Sequence, residues 1–109
     1  MTKTEAETVL KPFFTENGLD FGYIKFDSGP PSTEEYGVYC PEGHDVFGAD
    51  NKVWFYDGHF RIELYTPIKE TDTQEKLLKY LTDNEVFWST DDSIIFIPEE
   101  EMYEYIIHI

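Results

Sequence analysis

The sequence predicts an α+β domain: a mostly antiparallel sheet of four or five strands, two helices packed on one face, and one long strand or hairpin that projects. Three observations predict it. The stretches after Thr4 and after Asp72 repeat apolar residues at helical spacing. Most other segments alternate apolar and polar residues at period two, as strands do. Residues 53–66 (VWFYDGHFRIELYT) keep that alternation for longer than a small core can cover.

The elements follow in order. Thr4 and Glu7 have capping-box spacing, and Ala6, Val9, Leu10, Phe13 and Phe14 form one apolar stripe. Gly18 is a helix stop, and Pro12 predicts a kink or an early loss of helix. LDFGYIKF, 19–26, reads as a short strand, DSGPPS as a turn, and Tyr36–Cys40 as a second strand broken by PEGHD. Asp57-Gly58 is hairpin-turn chemistry, but the phase does not reset across Gly58, which favours one continuous strand. At the usual rise per residue it would span about 45 Å. Part of it should leave the body as a ribbon, paired with the segment before the Gly48-Ala49-Asp50-Asn51 turn. After Pro67, Asp72 and Glu75 suggest a second capping box. Leu77, Leu78 and Leu81 form the stripe that follows, with Asn84 as a left-handed stop. Residues 86–90, 93–97 and 102–109 read as strands, with a turn at Asp91-Asp92. The expected core includes Phe60, Ile62, Leu64, Leu77, Leu81, Tyr105 and Ile106.

The 109 residues suit a single domain spanning 1–109, and 40% hydrophobic with 17% aromatic content is enough for a core. Eight Lys and Arg stand against 23 Asp and Glu, a formal charge of −15. That balance argues against direct nucleic-acid binding and against docking on anionic membranes. It leaves three readings: acidity as a solubility device, a surface that repels passing DNA, or a mimic of DNA. Cys40 is the lone cysteine, so no internal disulfide can form. No signal core or membrane-length apolar run is present, and a soluble protein in a reducing cytoplasm is expected.

The sequence carries no phosphate-binding glycine loop, nucleophile elbow or dinucleotide fingerprint. His44, His59 and His108 lack zinc-ligand spacing. His44-Asp45 with Asp50 could hold a metal, but turn chemistry explains those residues as well. Cys40 with His44 could form a thiol–base pair, yet a proline and a glycine separate them. The expectation is a non-enzyme with no cofactor, no metal and no catalytic residue. The informative feature is surface. Tyr and Trp on both faces of an overlong strand are interface composition, and unpaired strand edges seek partners. The candidate self-association residues are Val53, Trp54, Phe55, Tyr56, His59, Arg61 and Tyr65.

FGADNKVWFYDGHFRIELYT, then PIKETDTQEKLLKYL, then PEEEMYEYIIHI, resembles small tail-component proteins of long-tailed phages and prophages of Gram-positive bacteria. The ADN turn at Ala49–Asn51, the strand end Arg61–Thr66, the charged helix and the run Glu99–Ile107 carry the resemblance, which covers nearly the whole chain. It implies a tail terminator or head–tail joining protein, with an antiparallel sheet flanked by helices. It also implies a homo-oligomeric ring, typically a hexamer, on the end of the tail tube. The implied partners are copies of itself, the tail-tube protein and a head-completion or connector protein. The implied location is the virion, and the bacterial host's cytoplasm during assembly. Pro12, Pro67 and Asp57-Gly58 depart from the family pattern. The alternative reading is an acidic inhibitor that imitates DNA for a nuclease or another DNA-binding protein.

Overall fold

A computed structural model describes residues 1–26, 31, 33–69, 71–91 and 94–109, with the backbone alone for 54–56. Most of the DSGPPS turn, and Asp92 in the second expected turn, lie outside the described residues. The architecture is α+β, with a mostly antiparallel sheet. Among the described residues the elements run α1 (Lys3–Glu16), β1 (Asp20–Tyr23), β2 (Tyr36–Ala49), β3 (Lys52–Thr66), α2 (Thr73–Asp83), β4 (Ser89–Thr90), β5 (Ile95–Ile97) and β6 (Met102–His108). The six strands form one sheet in the order β1-β2-β3-β6-β4, and β5 shares the outer edge of β6 with β4. β1 and β2 run parallel, and the other pairs are antiparallel.

Helix α1 is capped two residues before the expected position, at Thr2. The Thr2 hydroxyl accepts from the Glu5 amide at 3.1 Å, so the capping pair is Thr2 and Glu5. Glu7 is thereby released to accept from the Tyr39 hydroxyl at 3.0 Å. Pro12 does not end the helix, which continues to Glu16. Phe13 and Phe14, both buried, anchor the last turn, and their packing outweighs the lost backbone bond. Phe14 stacks on Phe21 at 4.3 Å, and Phe21 on Tyr39 at 4.9 Å. A Cβ on Gly37 would lie 2.5 Å from the Phe14 ring, so only glycine lets the helix approach β2 this closely.

Both helices cover one face. Phe13 meets Tyr80 of α2 at 5.4 Å, and the Tyr80 hydroxyl donates to the Val9 carbonyl at 2.5 Å. Beneath them the buried core gathers Leu10, Phe60, Ile62, Leu64, Leu77 and Leu81. Tyr105, Ile107 and Ile109 are buried from β6 and its end, whereas Ile106 is half-buried on the opposite face. Adjacent strand residues point to opposite faces, so Tyr105 and Ile106 cannot both enter one core.

Three further expectations are revised. Asn84 has φ −94°, and Glu85 at φ +58° takes the left-handed position after α2. The Val86 amide then returns to the Leu81 carbonyl at 2.9 Å, and the Trp88 indole donates to the Thr82 hydroxyl at 2.9 Å. These contacts turn residues 86–88 back onto the helix and shorten the expected 86–90 strand to two residues. Asp72 precedes α2 without a side-chain cap bond, and Thr71 accepts from the Thr73 amide instead. Glu35 organises this corner. Its carboxylate accepts from the hydroxyls of Thr66 (2.9 Å), Thr71 (2.5 Å) and Thr73 (2.6 Å). It thus ties the start of β2 to the end of β3 and the start of α2.

Candidate assembly interface

β2 and β3 pair along their whole length, from Tyr36↔Tyr65 to Ala49↔Lys52. The turn between them is Asp50-Asn51, with φ +54° and +63° at the two residues. Two successive positive φ values match the twist of a two-residue hairpin, and Asp and Asn tolerate them. The other strand candidate for a turn, Asp57-Gly58, does not fold back: Asp45↔Asp57 and His44↔Gly58 continue the ladder.

PEGHD was expected to break β2, and instead the strand runs through it. The register skips Glu42 between Pro41↔Phe60 and Gly43↔His59. This bulge absorbs the residue that would otherwise spoil the pairing, and Gly43 adopts φ +119° to make it. Pro41 sits where β1 no longer borders β2, a position that tolerates a missing donor. A second register shift falls between Phe47 and Gly48, where β3 carries the extra residue, Trp54.

The body ends at Phe60, whose amide and carbonyl both bond to Ile109 (3.2 and 2.9 Å). Beyond that line no other strand of the described residues borders the hairpin, and only the N-terminus reaches it there, the Met1 amino group donating to Asp57 and, at 3.1 Å, to the Gly58 carbonyl. β1 borders β2 only as far as Tyr39, and β6 borders β3 only from Arg61 onward. Residues 41–53 are all exposed, including Val46 (60%), Phe47 (47%) and Val53 (62%). The molecule measures 50 × 30 × 28 Å, its long axis being consistent with this arm.

The candidate residues divide into three groups. Val53, Trp54, Phe55 and Tyr56 lie on the arm; Val53 is exposed, and only the backbone of the other three is described. His59 stands at the root. Its Nε2 lies 2.6 Å from Asp45 Oδ2 and its Nδ1 lies 3.3 Å from the Ile109 carbonyl. Arg61 and Tyr65 lie on the sheet face away from the helices. Arg61 contacts Glu63 through Nε (2.9 Å) and Nη2 (2.8 Å), and the Tyr65 hydroxyl donates to the same carboxylate at 2.7 Å. Tyr65 also stacks on Tyr36 at 5.0 Å. Arg61 and Tyr65 are therefore committed to contacts within the sheet, while the arm residues lie beyond it.

Other root residues complete the picture. His108 lies between Glu42 (Nδ1 to Oε2, 2.7 Å) and Asp91 (Nε2 to Oδ1, 3.0 Å). Hydrogen bonds to the Glu42 and Asp91 carboxylates raise its pKa, and the bond to Asp45 does the same for His59. The Glu42–His108 and Asp91–His108 contacts were absent from the sequence reading. The only signal was that an acid-rich segment and a histidine-bearing strand would meet if β2 continued.

The Cys40–His44 pair and the metal alternative can be placed on the described residues. Cys40 and His44 lie along one extended strand, too far apart to share a proton. Burial raises the Cys40 thiol's pKa, with Glu63's charge adding to it, so the sulfur stays a protonated, weak nucleophile. Among the described residues, no group of three or more His, Cys, Asp or Glu side chains is placed to hold a metal ion. Among them, no helix is long and apolar enough to cross a membrane. No protein-family model matches the chain, and no curated protein matches it.

Proposed function

We propose that this chain is a structural protein of a phage or prophage virion, a tail terminator or related neck component. In this reading the arm of one copy lies along the sheet or edge of the next. Repeated head-to-tail, such contacts close into a ring on the end of the tail tube. The observation that carries the reading is the hairpin beyond Phe60. It exposes Val46, Phe47 and Val53, and no strand of the described residues borders it. Past its root such an arm adds no strand pairing to the body of its own subunit, and it offers backbone donors and acceptors to a neighbour. The acidity suits a ring through which DNA slides without adhering. The mechanism makes and breaks no covalent bond.

The DNA-mimic alternative needs carboxylates displayed like phosphates. Here Glu63, Glu42 and Asp45 are engaged by Arg61, Tyr65, His108 and His59. That engagement favours the assembly reading. Light scattering and electron microscopy of the protein, alone and mixed with tail-tube subunits, test it. The expected result is rings or capped tube ends, lost in Val46→Lys and Val53→Asp variants that melt normally. A protein that stays monomeric at high concentration in both settings refutes the proposal.

A further inference from the structure

The root of the arm holds two imidazoles, and each meets an oxygen acceptor at both ring nitrogens. His108 lies between Glu42 on β2 and Asp91 just after β4. His59 lies between Asp45 on β2 and the Ile109 carbonyl. A neutral imidazole has one N–H and one bare nitrogen. In either neutral tautomer the bare nitrogen would face a second acceptor with no hydrogen between them. Only the imidazolium satisfies both contacts at once. The arrangement also spans the line at Phe60 where the body ends and the arm begins. Glu42 is the bulged residue of β2, and bulges re-aim side chains. His108 therefore ties the arm's first strand, across β3, to the far edge of the body.

We propose that His59 and His108 form a proton-operated clasp that sets the arm's pose on the body and releases it as the imidazoles lose their charge.

The surrounding charges agree with this sign. Asp57, Glu85 and Glu42 line a hollow shared by both rings, with the Met1 amino group on Asp57. Lys3, Glu5 and His44 line a second hollow that His59 also borders. Arg61 is the β3 neighbour of His108, but its guanidinium is neutralised by Glu63. Acids therefore outnumber free cations around both rings. With folded values above the ordinary 6.5, each ring contributes its full stabilisation below about that pH. The contribution is lost as pH rises through the raised folded value.

Histidine ring nitrogen shifts and arm residual dipolar couplings, followed by NMR from about pH 5.5 to about pH 8.5, test the clasp in the free protein. Because the arm's pose is read in single copies, the outcome is independent of ring formation. Both rings should be imidazolium at the low end. The couplings of the 44–49 amides should change with the same midpoints as the rings. Glu42→Gln should lower the His108 midpoint, and Asp45→Asn that of His59. The His59→Gln, His108→Gln double variant should lose the pH dependence. Couplings that stay constant while both rings titrate overturn the proposal. So does a wild-type His108 or His59 found neutral at the low end, a reading that needs no variant to fold.

Discussion

Leu64 and Glu35 show two ways in which one side chain holds the sheet to its helices. Leu64 is fully buried, opposite Gly37 on one side and Tyr105 on the other. Leu64→Ala should cost about 2 to 5 kcal/mol, read as a fall in the urea midpoint with unchanged slope. An unaltered midpoint would place Leu64 outside the core. Glu35 acts through charge. Burial raises its pKa, but the hydroxyls of Thr71, Thr73 and Thr66 outweigh that, and the net shift is downward. A depressed carboxyl stabilises the fold above its unfolded value, 4.5, and the benefit fades as pH falls through the folded value. Glu35→Ala should therefore cost about 1 to 3 kcal/mol near neutrality. The gap to the wild type should close in strong acid. A gap that holds at every pH would show that the carboxylate's charge is irrelevant. Leu64 is legible from alternation alone, because burial of Phe60, Ile62, Leu64 and Thr66 follows period two. Glu35 is not. Its three partners lie 31 to 38 positions away, and no local pattern encodes such a meeting.

At the scale of elements, the sequence was most informative where one period persisted. β3 runs unbroken through Asp57-Gly58 because its phase does not reset there, and the resulting excess length is what projects the arm. β2 continues through PEGHD against expectation, because proline and glycine usually end strands, whereas here they build a bulge. The α1 cap was displaced because Thr2–Glu5 and Thr4–Glu7 share one spacing, and Tyr39 recruits Glu7. The candidate site was accordingly half legible. Val53 to Tyr56 follow from strand length, but Val46, Phe47 and the histidine contacts depend on β2 continuing. The arm's own integrity rests on its turn. Asn51 at φ +63° sits where a β-branched residue is strained. Asn51→Val should loosen the pairing of Gly48 and Ala49 with Val53 and Lys52. Faster amide exchange should be confined to the tip, with the melting temperature of the body unchanged. Global destabilisation would mean that the arm and the body unfold as one unit.

The whole molecule sets an apolar, hydrogen-bonding arm against a charge of −15, and these two terms oppose each other in any self-assembly. Bringing two copies together brings like charges together, and the repulsion extends over about 10 Å at 0.1 M salt. Burial of Val46, Phe47 and Val53, and new strand pairing at the arm, act only on contact and do not depend on screening. Raising ionic strength to about 1 M shortens the repulsive range to about 3 Å and leaves the contact terms in place. Association between copies should therefore strengthen as salt rises, which sedimentation velocity across a salt series measures directly. An acidic mimic of DNA bound to a basic protein would behave in the opposite way, since salt screens attraction between unlike charges. The same series, run once with the protein alone and once with tail-tube subunits, separates the two. Complexes that dissolve as salt rises would assign the arm a minor part and the charge the leading one.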